Sequence, residues 1–215
     1  MFVNFKLKKN VIDHFHKLYY ESHKVTWENT FWLGIQAHKC PLDLWIYQEI
    51  IFEIKPDIII ECGTFHGGSA LFLASICDLL NKGKIISIDI ENKKDRPKHE
   101  RITYLLGSST SEEIVEKVQI FIKNIDRIMV ILDSDHSKEH VLRELEIYSK
   151  FVTKGSYIIV EDTNINGHPI GPDFGPGPME AVKEFLKMKR DFAIDKSREK
   201  FYLTFNPDGY LKRVR

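Results

Sequence analysis

IIIECGTFHGG, residues 58–68, decides how the chain is read. A β-branched run ends in an acid, Glu61, and a glycine turn follows at once, which is how a strand enters a ligand-binding loop. SALFLASICDLLNKG continues as a helix apolar almost all round, with Gly83 where a C-cap belongs. The alternation recurs downstream. KIISIDI, ITYLL, RIMVILD and SYIIVED read as strands; STSEEIVEKVQIFIKN, with Thr110 and Glu113 at capping-box spacing, and SKEHVLRELEIYSKF read as helices. Upstream, PLDLWIYQEIIFEI shows a helical face of Leu42, Trp45, Ile46, Ile50 and Ile54 before the stop at Pro56. Beyond a Gly/Pro-rich loop from Thr163 to Gly177, a helix starts near Pro178, and DFAID and KFYLTF are expected to close the sheet as a final pair. This order predicts an α/β fold, a doubly wound Rossmann-like sheet that is mostly parallel with an antiparallel C-terminal strand. Residues 1–40 are expected to form a helical, aromatic N-terminal segment serving as a contact or lid, and residues 41–215 the Rossmann-like domain.

The 31 basic and 31 acidic residues cancel, and no stretch gathers enough Lys and Arg to track phosphates, so nucleic acid is disfavoured as a partner. No run reaches the ~20 apolar residues of a membrane span, and the N-terminus lacks a signal-peptide pattern. Cys40, Cys62 and Cys77 form neither an even set nor a CxxC pair, which predicts a reducing, cytoplasmic setting.

Ligands of such sheets bind at the C-terminal ends of the strands. Here four of the five expected parallel strands finish in acid, at Glu61, Asp89, Asp133 and the Glu161–Asp162 pair. The turn Gly63-Thr64-Phe65-His66-Gly67-Gly68 lacks the middle glycine of a dinucleotide fingerprint, and no Lys-Ser or Lys-Thr follows as in a P-loop. A cationic ligand without phosphates fits acids better. S-adenosylmethionine is one, an amine and a sulfonium beside a ribose diol that Asp89 is placed to accept. Generic turn acids would give the same local pattern.

Longer blocks carry a resemblance. WLGIQAHKCPLDLWIYQEII, KPDIIIECGTFHGGSALFLAS, ILDSDHSKEHVLRELEIYSKFVTKGSYIIVEDT and GHPI, FGPGPMEAVKEFL and FNPDGYLKR further on resemble the cephalosporin hydroxylase family, from about Trp32 to Arg213. Despite that name, its members resemble S-adenosylmethionine-dependent O-methyltransferases, with sugar and antibiotic-tailoring enzymes among their relatives. Cys62 stands where such loops more often have Thr. The resemblance implies a divalent metal held by Asp133, Glu161 and Asp162, and clustered carboxylates without soft ligands independently suit Mg²⁺, or Mn²⁺ or Ca²⁺. It also implies His136 as the general base, histidine being the side chain suited to proton transfer at neutral pH.

The expected donor site is then Glu61, Gly63, Thr64, Phe65, Gly67 and Ser69 around the methionine part, Asp89 at the ribose, and Ser108 and Ser109 on the adenine side. Asp133 and His136 face the reacting hydroxyl of a small acceptor, a sugar or glycosylated metabolite. The resemblance further implies a homo-oligomer. Three rivals stand beside this reading. HSKEH, residues 136–140, satisfies the HxxEH pattern of a zinc hydrolase. His136, His140 and Asp133 could serve an Fe(II) hydroxylase. A noncatalytic donor-binding module would keep the fold alone. Against both metal rivals, His140 is expected to lie along the helix surface, away from the metal.

Overall fold

The computed structural model describes residues 5–215; residues 1–4 of the expected N-terminal segment lie outside the described residues. In chain order come α1 (Phe5–Glu21), two 3₁₀ turns, β1 (Phe31–Trp32), β2 (Ile35–Gln36), α2 (Pro41–Ile54), β3 (Ile58–Cys62), α3 (Gly68–Leu79), β4 (Lys84–Asp89) and β5 (Ile102–Leu106). Then follow α4 (Glu112–Phe121), β6 (Ile128–Leu132), α5 (Lys138–Tyr148), β7 (Tyr157–Val160), α6 (Pro178–Met188), β8 (Phe192–Ile194), a third 3₁₀ turn and β9 (Tyr210–Arg213). β1 and β2 make a separate hairpin, and the main sheet has the order β5-β4-β3-β6-β7-β9-β8. Strands β3 to β7 pair in parallel, and β9 enters antiparallel to both β7 and β8. The chain winds outward from β3 to β5 and then returns to β6 on β3's other side. That reversal opens a crevice above the ends of β3 and β6, where doubly wound folds bind ligands.

Period-two alternation explains the layers. Ile58, Ile60 and Cys62 face α4, α5 and α6 together with Val130, Leu132, Ile158 and Val160. Ile59, Ile131 and Ile159 face α2 and α3. Glu61 keeps step with Ile59, which sends a carboxyl into the α2–α3 side of the core. Burial on both faces is why these strands read as continuous apolar runs.

Four local expectations are corrected. KFYLTF is not a strand; the partner of β7 is Tyr210–Arg213. Its residues are used elsewhere: Leu203 and Phe205 pack with Cys40, Tyr19, Tyr20 and Trp27, while Thr204 Oγ1 and the Phe205 N–H donate to the buried Asp43 carboxyl at 2.5 and 2.8 Å. Trp45 is exposed, donating to Glu49 at 3.0 Å, and the buried face of α2 runs instead through Leu44, Ile46, Tyr47, Ile50, Ile51 and Ile54. The N-cap of α4 is Ser111, one residue past Thr110. Gly83 is not a cap, since α3 ends at Leu79; it lies in the following turn at φ +101°.

Helix α1 lies across the C-terminal loops. His16 is buried, stacks on Phe205 with ring centroids 5.9 Å apart, and contacts Asn164 at 2.9 Å, just beyond the acids that follow β7. Burial lowers its pKa to about 4. Among the described residues, no helix is long and apolar enough to cross a membrane.

Candidate active site

A cavity of about 450 Å³ lies over the ends of β3 to β6, within the range of small-molecule sites. Of the residues expected around a donor, Gly63, Thr64, Phe65, Ser69, Asp89, Ser108 and Ser109 line it; Glu61 and Gly67 do not. Gly63, at φ +96°, passes so close to the end of β6 that a Cβ would sit 1.8 Å from the Asp133 carbonyl oxygen. Only glycine lets these two strand exits meet. Gly67, at φ +82°, is the N-cap of α3 and shapes the turn from below.

Asp89 builds the cavity as well as edging it. Its Oδ2 accepts the Thr64 and Phe65 N–H groups at 3.0 and 2.7 Å and pairs with Arg96 at 2.9 Å, while Oδ1 accepts the Glu91 N–H at 2.9 Å. The acid ending β4 thus anchors the glycine turn ending β3. Glu61 is fully buried and accepts from Ser87 Oγ at 2.6 Å. Burial raises its pKa, against Lys39 and the Ser69 and Ser87 hydroxyls.

Beyond the cavity the acids following β6 and β7 converge, as neighbouring strand ends must. Among the described residues, Asp133, His136 and Asp162 bring one ligand atom each within 4.8 Å of one another. His136 Nε2 lies 3.2 Å from Asp162 Oδ2. Glu161 is turned to a residue that the sequence did not single out. Lys39, 3% exposed, places its ammonium against Asp133 Oδ2 and 2.5 Å from Glu161 Oε1. Burial opposes the Lys39 charge, but Asp133 and Glu161 outweigh it and push its pKa well up. Burial drives the Asp133 and Glu161 pKa values upward in turn, with Lys39 offsetting part of the rise.

A cation therefore stands between two of the three expected metal-binding acids, and it is the protein's own. The donor set fits a hard divalent ion, since carboxylates that gather round an ammonium at this depth have the charge and the oxygens such an ion requires.

His140 corrects the surface reading. It lines the cavity, with Nε2 3.2 Å from Ser109 Oγ and 3.5 Å from Glu144 Oε1. That direction takes it away from His136, so the structure does not join the two histidines of HSKEH around one ion. Asp135 instead closes a turn just before α5, accepting the Ser137 N–H at 2.7 Å. Two participants went unnoticed in the sequence, Lys39 and the buried Glu144. Lys39 lies inside the AHKCP stretch that carries the family resemblance, the one signal that could have drawn attention to it.

The family model described as Rhamnosyl O-methyltransferase/CmcI matches residues 24–214. The rhamnosyl O-methyltransferase of Mycobacterium tuberculosis H37Rv is 39% identical over 211 residues, covering 94% of this chain and 85% of the relative. That of Mycobacterium leprae is 38% identical over 211 residues, covering 95% and 91%. Among solved structures, CmcI-N160 without ligand superposes with a TM-score of 0.70 at 20% identity, covering 87% of this chain and 77% of the other. CmcI-D160 with Mg and SAM gives 0.66 at 19%, covering 87% and 78%. At these identities the structures speak for the shared fold, while the family model and the sequence relatives span nearly the whole chain. The chain belongs to the rhamnosyl O-methyltransferase/CmcI family.

Proposed function

We propose that this protein transfers a methyl group from S-adenosylmethionine to a hydroxyl of a sugar, with rhamnosyl glycosides the first acceptors to test. One observation carries the reading: an acid-edged cavity runs into the Asp133–His136–Asp162 cluster, so a donor's methyl and an acceptor's hydroxyl can meet there. The sequence relatives are rhamnosyl O-methyltransferases, and CmcI has been solved with Mg and SAM. Both support the assignment.

Asp89 holds the ribose of the donor, the Gly63–Phe65 turn and Ser69 its methionine part, and Ser108 and Ser109 its adenine side. Asp133 and Asp162, with Glu161 once it is released from Lys39, would hold Mg²⁺, which when bound supplies positive charge that eases loss of the hydroxyl proton. His136 takes the proton at Nε2, which the Asp162 carboxyl, 3.2 Å away here, would leave free once it holds the ion. The methyl passes to the hydroxyl oxygen and S-adenosylhomocysteine leaves. Placement and exclusion of water supply much of the remaining rate.

A homo-oligomer in a reducing, cytoplasmic setting belongs to the same reading. Exposed Leu7, Val11, Phe15 and Leu18 form one stripe on α1, a face suited to a second copy, and the three cysteines are free. A monomer at all concentrations in sedimentation would remove the oligomer from the account.

The transfer is tested by incubating the protein with isotopically methyl-labelled S-adenosylmethionine, Mg²⁺ and a panel of rhamnosides, followed by mass spectrometry. A single labelled O-methyl group on the sugar is expected. A product that gains oxygen, formed with Fe(II) and 2-oxoglutarate and without the methyl donor, would establish the hydroxylase instead.

A further inference from the structure

Glu144 of α5 is fully buried behind the cavity wall. Its Oε1 accepts two hydroxyl protons, from Ser109 Oγ at 2.5 Å and from Ser134 Oγ at 2.7 Å. Its Oε2 is buried without a hydrogen-bond partner. The Cys62 thiol lies beside the carboxyl, and burial followed by the Glu144 charge pushes that thiol well up. Ser109 and Ser134 both line the cavity.

A serine hydroxyl has one proton and two lone pairs. Both serines have given their proton to Glu144, so toward the cavity they offer acceptors only. His140 turns its Nε2 on the same two atoms, Ser109 Oγ and Glu144 Oε1, so that nitrogen brings no N–H to the cavity either. A wall of acceptors satisfies a ligand edge that carries N–H groups. It leaves a carbonyl oxygen at the same place unpaired, with both partners desolvated, and a site built this way rejects the wrong group strongly.

We propose that Glu144 is a positioning residue for donor selection: by taking the protons of Ser109 and Ser134 it makes this wall select a purine bearing a 6-amino group over one bearing a 6-oxo group. The inference rests on the reading that the methyl donor occupies this cavity. Glu144 touches no ligand itself and acts by fixing the direction of two hydroxyl rotors. Its effect is therefore on the choice between ligands, which a loss of stability would not alter.

The test is calorimetric titration of the intact protein with S-adenosylhomocysteine and with S-inosylhomocysteine, which differ in the 6-substituent and in the proton that the 6-oxo base carries on N1. Wild-type protein should prefer the adenosyl compound roughly 10- to 100-fold, the worth of one to two misplaced buried hydrogen bonds. Glu144→Gln should keep the preference, because its amide oxygen can replace Oε1 while its NH₂ takes the unpartnered Oε2 position. Glu144→Met should bring the two affinities near parity, because the hydroxyls can then turn and donate. Should Glu144→Met fail to fold, Ser134→Ala, which removes one acceptor at the surface of the cavity, should narrow the ratio in the same direction. Wild-type parity, or an unchanged ratio in both Glu144→Met and Ser134→Ala, overturns the assignment. Failure of wild-type protein to bind S-adenosylhomocysteine at all overturns the underlying donor reading, and this inference with it.

Discussion

Replacing His136 by alanine is expected to slow methyl transfer about 10²- to 10⁴-fold, the contribution of a positioned general base. S-adenosylhomocysteine should bind with unchanged affinity, because His136 does not line the cavity assigned to the donor. The position of the imidazole explains the size of the effect. Its Nε2 is set 3.2 Å from Asp162 at the one place where Asp133 and Asp162 also converge, so no other side chain of the cluster can take a proton without giving up a carboxyl. Raising the pH should recover part of the lost rate, since the acceptor hydroxyl then ionises with less help. Single-turnover rates measured from neutral to alkaline pH check this. Wild-type turnover in the variant at neutral pH would reduce His136 to a wall of the site.

The second large effect belongs to Lys39. Lys39→Met removes the only cation held between the partly buried Asp133 and the buried Glu161 among the described contacts, leaving two carboxyls face to face. Breaking a buried ion pair on one side costs about 3–5 kcal/mol, and the lower figure applies here because either acid can relieve the repulsion by taking up a proton. In a chain of this length that lowers Tm by roughly 6–12 °C. Millimolar Mg²⁺ should restore much of the loss, and should raise the Tm of the variant more than that of the wild-type protein, since the freed carboxyls are offered to the ion without competition. Thermal melts of both proteins with Mg²⁺ and with EDTA measure it. Equal Tm values under all conditions would mean that Lys39 contributes nothing to holding these acids.

The sheet was legible because its strands are buried on both faces, and β-branched runs such as Ile58–Ile60 and Ile158–Val160 carry that signature locally. The acids at the strand ends were legible for the same reason: a residue just past a known strand has a known address. What escaped depends on partners distant in the chain. KFYLTF has strand composition, but Asp43, 161 positions from Thr204, claims its polar groups. Trp45 sits within the apolar pattern of α2, yet packing on β3 selects a face rotated past it. Lys39 meets acids 94 and 122 positions away, and no spacing rule connects them. His140 was expected on the helix surface because its attraction into the cavity comes from Ser109 and Glu144, the one 31 positions back and the other on its own helix. A sequence periodicity reports burial, and it does not report which polar groups have been collected beneath it.

The anomalous signal of Mn²⁺ in crystals grown with S-adenosylhomocysteine decides between a carboxylate site and a histidine site. One ion is predicted on carboxylate oxygens of Asp133 and Asp162, with His136 beside the open face, Lys39 withdrawn from Glu161, and the nucleoside in the cavity with its ribose at Asp89. An ion held by His136 and His140 together, or a nucleoside bound anywhere else, would contradict this prediction.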